Sequence, residues 1–427
     1  MRRRDAIKVL ALPALAAGCG DGRSGIRVAG VWSGWELTQF RKVLDAFPGR
    51  DTWSVSVQSA GDDIAVLVGN RVAGTAAPNV ALVPFPQLVR DNRDHLVPLR
   101  AERATDSVWD RLLTFDGEVY GHWFKVAHKS LVWYRSGLLG AGRPPRDWDA
   151  WLALCRDLAS RGRPPLSIGA ADGWVLTDWF ENVLLSLDPQ VYRALAAGAA
   201  AWRHPSVLAA LRRLGEAWSI PGVVAGGAGR ALQTQFDQSL LDVFRYDRAA
   251  MVAGADFAWP FITQYATTPS DQIEWFAFPR IVERPVLVGG DAAVLLRPAT
   301  EGGGELIDWL ATPRAAGRWA GEGGFLTIND PARGVAYPPG LNAGPLIEDV
   351  VAGSGDGGLV TFDLSDQLGG RLAGAEGRGT WKIFKDFFVE VSTPRAPGES
   401  VTERAERADR AADRAMTALD AAARRSA

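Results

Sequence analysis

The sequence predicts an α/β protein built as two domains. Three observations carry this. The chain has 427 residues, too many for one small core and suited to two of ordinary size. Its first third alternates short β-rich runs with apolar helical stretches, the pattern of a parallel sheet with helical crossovers. With 47% hydrophobic and 22% charged residues it has the balance of a folded globular chain and too much apolar content for a disordered one.

The elements follow in order. Ile26-Arg27-Val28-Ala29-Gly30-Val31 alternates and is β-rich, a first strand ending in Trp32-Ser33-Gly34-Trp35-Glu36. A helix over 38–47 stops at Pro48-Gly49. A second strand over 53–57 leads to Gly61-Asp62-Asp63, a helix covers 64–72, and a third strand covers 79–83. In such sheets ligands bind beyond the carboxyl ends of the strands, where the Trp32, Asp63 and Phe85 loops would lie. Asp116-Gly117 between apolar flanks predicts a hairpin, and 130–134 a further strand. Asp147 suits the N-cap of a helix over 148–161, with Gly162 just past its end. Helices are expected over 177–187, 206–218, 305–310 and 314–320, and a loop over 222–229. Strands over 286–288 and 292–296 would flank a turn at Gly289-Gly290. The tail after Pro397-Gly398 is rich in Ala, Arg, Asp and Glu. Ser400 with Glu403 makes a capping-box pattern, and Glu403/Arg407 and Glu406/Arg410 are spaced for helical ion pairs, so a solvated terminal helix is expected.

The N-terminus is a separate segment. Met1-Arg2-Arg3-Arg4 precedes an apolar run over 9–17 and then Gly18-Cys19, which describes an export signal over 1–19. The run is far short of the roughly 20 residues that span a bilayer. Arg3-Arg4-Asp5-Ala6-Ile7-Lys8 is similar to a twin-arginine signal, and Leu15-Ala16-Ala17-Gly18-Cys19 to a lipobox. Cleavage before Cys19 would leave its thiol to carry lipid, with residues 20–25 as a polar tether. The alternative is a plain signal peptide with an incidental Cys19. Two cysteines cannot make a disulfide framework, and Cys155 sits in an apolar helical pattern as a small core residue.

Composition excludes several functions. A net charge of −2 leaves no footprint for nucleic acid. His95, His122, His128 and His204 lack metal-ligand spacing. There is no P-loop and no nucleophile elbow. A glycoside hydrolase would need two carboxylates across a cleft, and no local pattern singles out a pair. No cofactor or metal is expected. The 17 Trp against 6 Tyr point instead to flat platforms as well as core. Trp133, Trp151 and Trp218 fall within regular elements and read as core.

Several motifs then recur in a characteristic order. Lys129-Ser130-Leu131-Val132-Trp133-Tyr134 follows Tyr120-Gly121, and Gly173-Trp174 precedes Thr177-Asp178-Trp179-Phe180-Glu181. Phe236-Asp237, Ala249-Ala250-Met251, Gly289-Gly290-Asp291, Gly323-Gly324-Phe325-Leu326 and Phe362-Asp363-Leu364-Ser365-Asp366 come after. On these stretches nearly the whole mature chain resembles the extracellular solute-binding proteins of carbohydrate ABC importers (family 1), most closely the α-glucoside-binding branch. The resemblance implies a two-lobe periplasmic-binding-protein-like fold (type II) with the ligand cleft between lobes. One lobe would hold 26–126 plus 289–326. The other would hold 127–288 plus 327–427, terminal helix included. The chain would cross near 126–128, 288–290 and 325–328, and closure would be a hinge motion read by a membrane permease. It further implies a monomeric, extracytoplasmic binder and no enzyme. A sugar-sensing lipoprotein without a transporter is the alternative, and a carbohydrate-cleaving enzyme a more distant one.

Departures from the family pattern bear on the ligand. Phe85 stands where a hydrogen-bonding Gln is usual, and Trp123, Lys125 and Ala127 stand in place of Pro, Gly and Asn. Lys125 raises the option of a ligand with an acid group. A sugar presents hydroxyls and apolar C–H faces, so a site needs aromatic planes and charged acceptors. The aromatic candidates are Trp32, Trp35, Phe85, Trp123, Trp174 and Trp259. The polar candidates are Glu36, Asp63, Lys125, Asp178 and Asp291. Asp178 could equally cap the helix that starts there. Asp363 and Asp366 read as structural.

Overall fold

The computed structural model describes residues 25–69, 77–100, 107–139, 142–266, 268–330, 333–352, 360–368, 372, 379–394, 396 and 398–426. The export signal, Cys19, the tether up to residue 24 and the end of the helix expected over 64–72 lie outside them. Along the chain come β1 (Gly25–Gly30), β2 (Ser54–Ser59) and β3 (Val80–Val83), with helices between. The hairpin β4 (Thr114–Phe115) and β5 (Glu118–Val119) precedes the longer β6 (His122–His128) and β7 (Leu131–Arg135). A helical stretch leads to β8 (Met251–Gly254), β9 (Ile273–Ala277), β10 (Val286–Leu295) and β11 (Val360–Phe362).

Among the described residues one sheet has the order β11-β10-β3-β1-β2, with β6 also paired to β10, and a second has the order β8-β7-β9. β1, β2 and β3 are parallel as the alternation predicts. β10 then runs antiparallel to both β3 and β6, so the sheet is mixed, with an antiparallel element added to a parallel one. Alternation divides β3 between two cores. Val80 and Leu82 join Trp32, Phe40, Phe124 and Trp319 on one face. Ala81 and Val83 face a larger core, which continues into the helices around Gly173–Leu187.

Two expectations for the 286–296 region are corrected. Gly289-Gly290 is no turn: β10 runs straight through it, and the pair serves close packing. A Cβ on Gly290 would stand 2.9 Å from the Lys125 carbonyl oxygen and 3.0 Å from the Trp123 ring. Beside it the ladder slips. Asp291 pairs with Lys125 but Ala292 with Trp123, so Phe124 is left over as a β-bulge. Val126 also exchanges backbone hydrogen bonds with Leu326, at 2.9 and 3.2 Å, so three chain segments lie side by side here.

Local signals elsewhere act as expected. Asp147 accepts from Ala150 N at 2.9 Å and starts the Trp148–Ser160 helix. Asp116 and Gly117 take φ of 53° and 80°, the left-handed pair of a tight hairpin. Trp133, Trp151 and Trp218 are buried. Asp178 is not a cap, because its helix begins earlier, at Gly173 after Asp172. The loop expected over 222–229 gives way to a short helix at Gly227–Ala231. The terminal helix, Val401–Ser426, is not merely solvated. Its alanine stripe, including Ala408, Ala411, Ala412 and Ala415, is buried against the Pro205–Trp218 and Thr380–Ser392 helices. Ser400 and Glu403 form the reciprocal capping box, at 2.8 and 3.2 Å. Glu406 pairs with Arg410, but Arg407 turns inward to Glu399 rather than to Glu403.

Candidate ligand site

The bulge at Phe124 builds the centre of the site. In an unbroken strand Trp123 and Lys125 would share a face. The extra residue re-aims them. Trp123 enters the larger core, where its ring meets Trp109 at 5.2 Å and Phe362 at 5.2 Å, and its indole N–H donates to the Trp109 carbonyl at 2.8 Å. Lys125 goes the other way, beneath the aromatic cluster of Trp32 and Trp319, both buried in the smaller core, so Trp32 backs the group and does not present a free ring face. The expectation that Trp123 lines the cleft is therefore corrected.

Lys125 Nζ donates to Glu36 Oε1 at 2.6 Å. Glu36 lies in the first turn of the Gly34–Asp45 helix, a favourable end for a negative charge. Asp291 is opposite Lys125 across the ladder and accepts a hydrogen bond from the Trp32 side chain. Asp256 enters from the loop after β8. Its Oδ1 accepts from His128 N at 2.7 Å, while Oδ2 is buried with no partner among the described residues. Burial works against the Lys125 charge, but Glu36, Asp291 and Asp256 together raise its pKa above the usual lysine range. Burial pushes the Asp291 carboxyl up to about 7, against the pull of Lys125 and with the help of Glu36. Burial likewise lifts Asp256 to about 7, opposed by its bond to His128 N and by Lys125. Asp237, though exposed, is lifted to about 6 by its surroundings and by Asp172 and Glu36.

A second cationic centre lies four residues on. Lys129 Nζ pairs with Asp178 at 3.3 Å and with Asp363, and lies 5.9 Å from the Trp174 ring centre. Burial opposes its charge, but Asp178 and Asp363 hold it well above the lysine range. Burial raises Asp178 to about 7 despite Lys129. Asp178 Oδ2 and Asn182 Oδ1 are buried without a partner among the described residues and border a hollow of about 10 Å³ under Trp174. That is the room of about one water molecule. Asp178, Glu181 and Asp363 bring carboxylate oxygens within 4.8 Å of one another. Lys129 answers their charge. Glu181 is also engaged, accepting from Leu364 N at 2.6 Å, Ser365 N at 3.1 Å and the Tyr192 hydroxyl at 2.5 Å. Asp363 caps the helix at Leu364–Gln367. This group holds segments together rather than presenting ligands to a metal.

Of the remaining sequence candidates, Trp35 and Trp174 border the Lys125 group through Trp319 and Phe257, and the others lie away from it. Trp35 is half-buried, 6.2 Å from Trp319 edge-on. Trp174 is half-buried against Phe236 and Phe257. Phe85 is half-buried at the start of the Pro86–Asp91 helix. Asp63 is exposed at the end of a short turn and is not drawn into the Lys125 group. Trp259 is corrected: it is buried beneath Gly323, whose Cβ would stand 2.5 Å from its ring and whose φ is +82°. It wedges the 323–340 region instead of facing a cleft. Sequence reading missed Trp319, Phe257 and Asp256. Trp319 sits in a helix patterned as core, so nothing marked it. Asp256-Phe257 closes a short apolar strand, and that strand-end position was the available signal.

Residues 52–317, more than half of the chain, match the family described as bacterial extracellular solute-binding protein. The osmoprotective compounds-binding protein GgtB of Synechocystis is 28% identical over 389 residues, covering 86% of this chain and 89% of that one. The alpha-glucosides-binding periplasmic protein AglE of Rhizobium meliloti is 26% identical over 393 residues, covering 85% and 83%. Among solved structures, the bacterial solute receptor AcbH superposes with a TM-score of 0.69 at 15% identity, over 93% of this chain and 99% of that one. Maltose-bound MalE3 of T. maritima gives 0.66 at 17% identity, over 93% and 99%. These likenesses establish the two-lobe periplasmic-binding-protein fold. By the family match, the chain belongs to the bacterial extracellular solute-binding proteins: it binds a solute outside the cytoplasm and is not an enzyme.

Proposed function

We propose that this chain is the lipid-anchored substrate-binding protein of an ABC importer, which captures a neutral, hydroxyl-rich solute of the oligosaccharide or glycoside class and delivers it to a membrane permease. The observation that carries this reading is the Lys125 group: one ammonium and three carboxyl groups converge beside the chain crossings on the buried rings of Trp32 and Trp319, with the half-buried rings of Trp35, Phe257 and Trp174 around them. Carboxylates accept from hydroxyls strongly, and ring faces suit the C–H faces of a sugar. Carboxyl groups outnumber the ammonium, so Lys125 leaves little positive charge to recruit an acid. An uncharged ligand fits better than the acidic one its sequence position suggested.

The names of the relatives support the class. One is named for osmoprotective compounds and the other for α-glucosides, and small polyhydroxyl solutes answer to both descriptions. The lobes in this reading are 26–126 plus 289–326 and 127–288 plus 327–427, with Lys125, Glu36, Asp291, Trp32 and Trp319 on the first side of the crossing, and Asp256, Phe257 and the Lys129 group on the second. Cys19 is the proposed site of lipid attachment, and the closed form is what the permease recognises.

The test uses residues 20–427 with tryptophan fluorescence and thermal melting. The panel holds α- and β-linked oligosaccharides, monosaccharides, sucrose, trehalose, uronic acids and glycine betaine. A ligand at a hundredfold excess over its Kd stabilises by about 2.7 kcal/mol. Saturable stabilisation by a neutral saccharide, with uronic acids weaker, supports the reading. Response to betaine alone would overturn it.

A further inference from the structure

Lys125 is an unusual residue to find under a wall of rings. Its Nζ lies 4.9 Å from the ring centre of Trp319, 5.7 Å from Trp32 and 5.9 Å from Phe257. All three distances are within the reach of a cation–π interaction. Glu36 is bonded to it at 2.6 Å, and Asp291 and Asp256 act on it electrostatically. Three aromatic rings with carboxylates behind them are the recognition chemistry for an ammonium ligand. Here the ammonium belongs to the chain. The Lys125 side chain is 5% exposed and the Trp32 and Trp319 rings are buried, while Phe257 is half-buried and Glu36 remains 37% exposed, so the cage is closed from within and borders solvent only on the side of Phe257 and Glu36.

We propose that Lys125 is a resident cation: it fills the cation position of a three-ring cage formed by Trp32, Trp319 and Phe257, and so makes the site refuse ammonium solutes while leaving the second, solvent-bordering oxygen of Glu36 for a hydroxyl of a neutral ligand. This rests on the reading of the cleft as a solute site and adds its rule of discrimination. The physics is direct. A free ammonium solute gains from ring faces and carboxylates only where they are unoccupied. A tethered ammonium loses little freedom on holding that position, and it repels a second cation. Osmolytes fall into polyhydroxyl and quaternary-ammonium classes, and a fixed lysine separates them by charge alone. Phe257 belongs to the segment after β8 and Trp32 to the end of β1, so the cage also joins residues from two parts of the fold.

The experiment compares wild-type protein with Lys125→Ala, using tetramethylammonium and choline as probes and sodium chloride at equal ionic strength as control. The readouts are thermal melting and tryptophan fluorescence. Lys125→Ala is expected to be saturably stabilised by both probes, with affinity at least about tenfold above that of wild type. Adding Asp291→Asn to that variant should weaken the gain. The proposal is overturned if folded Lys125→Ala responds to the probes no more than to sodium chloride, or if wild type responds equally. Should Lys125→Ala fail to fold alone, it is refolded with tetramethylammonium: rescue supports the proposal, and no rescue overturns it. The sugar panel on wild type keeps the two readings apart. A variant that gains cations while wild type ignores every saccharide sinks the carbohydrate reading only. A wild type that binds a saccharide beside a folded variant that gains nothing sinks the resident cation only.

Discussion

Asp291 and Asp256 show how burial sets behaviour at the scale of one residue. Both carboxyls are pushed from an ordinary 3.8 to about 7, with burial the main cause and Lys125 opposing it. The charged groups that act on Asp291 are Lys125, Glu36 and Lys129. A folded carboxyl with a raised pKa binds its proton more tightly than the unfolded chain does. Between the two values the folded state therefore holds more protons, and stability falls as pH rises. The melting temperature should climb as pH is lowered from 8 towards 5.5, and Asp256→Asn should flatten that slope. The variant keeps an acceptor for His128 N and gives the orphaned oxygen's place to an amide. A slope unchanged in Asp256→Asn would show that other groups govern it. Asp349, held at about 2 by hydrogen bonds from Arg284 and His128 against its burial, acts in the opposite sense, and only below about pH 4. Trp123 offers a second residue-scale prediction. Trp123→Phe loses the bond to Trp109 and part of a packed volume, which costs about 1–3 kcal/mol. Because the ring points into the core, calorimetry should find ligand affinity unchanged.

At the scale of elements, an irregularity in a strand and a buried arginine do the deciding. The bulge at Phe124 rotates β6 so that Trp123 and Lys125 part company, and Gly290 is the residue that lets β10 lie against it. Gly290→Ala would force a methyl group onto the Lys125 carbonyl and the Trp123 ring, at 2.9 and 3.0 Å. The ladder must shift, at a cost of about 1–3 kcal/mol. Ligand affinity should fall along with melting temperature, unlike in Trp123→Phe. The terminal helix depends on Arg407. Its guanidinium holds both oxygens of Glu399 at 2.8 Å and the carbonyls of Glu390 and Val391 at 2.6 and 2.7 Å. It thereby satisfies the end of the preceding helix. Arg407→Ala leaves a buried carboxylate and open carbonyls, and urea unfolding should report a loss of about 3–5 kcal/mol. The exposed pair Arg410/Glu406 is worth less than about 1 kcal/mol by the same measurement.

For the whole molecule the question is closure. Three segments, at β6, β10 and Leu326, run side by side through the middle of the fold. Glu36 and Asp237 come from distant parts of the chain, yet the charge of one raises the proton affinity of the other. In the proposed division Glu36 and Asp237 belong to different lobes, so their repulsion would oppose closing, and a ligand whose hydroxyls donate to them would relieve that opposition. Small-angle scattering should therefore show a smaller radius of gyration when the cognate solute is added. Asp237→Asn should shift the ligand-free protein towards the compact form. Equal radii with and without a saturating ligand would rule out a hinge.

Much of this protein is legible without coordinates. The family is legible as a resemblance, carried by the order of motifs such as Gly289-Gly290-Asp291 and Phe362-Asp363-Leu364-Ser365-Asp366. The α/β class, the first three parallel strands and the hairpin at Asp116-Gly117 follow from local pattern. So do the helix after Asp147 and the core role of Trp133, Trp151 and Trp218. Each rests on periodicity or on turn and cap chemistry, which neighbours in sequence settle among themselves. The membership of the site was only partly legible. Lys125, Glu36, Asp291 and Trp32 do meet, but Trp123 and Trp259 turn into the interior, and Trp319, Phe257 and Asp256 arrive from elsewhere. The reason is geometric. Period-two counting assumes an unbroken ladder, and a single extra residue at Phe124 reverses which face every later side chain takes. Whether β10 would lie close enough to impose that slip depends on Gly290 meeting β6 across more than 150 residues of chain, and only the packed tertiary structure decides it.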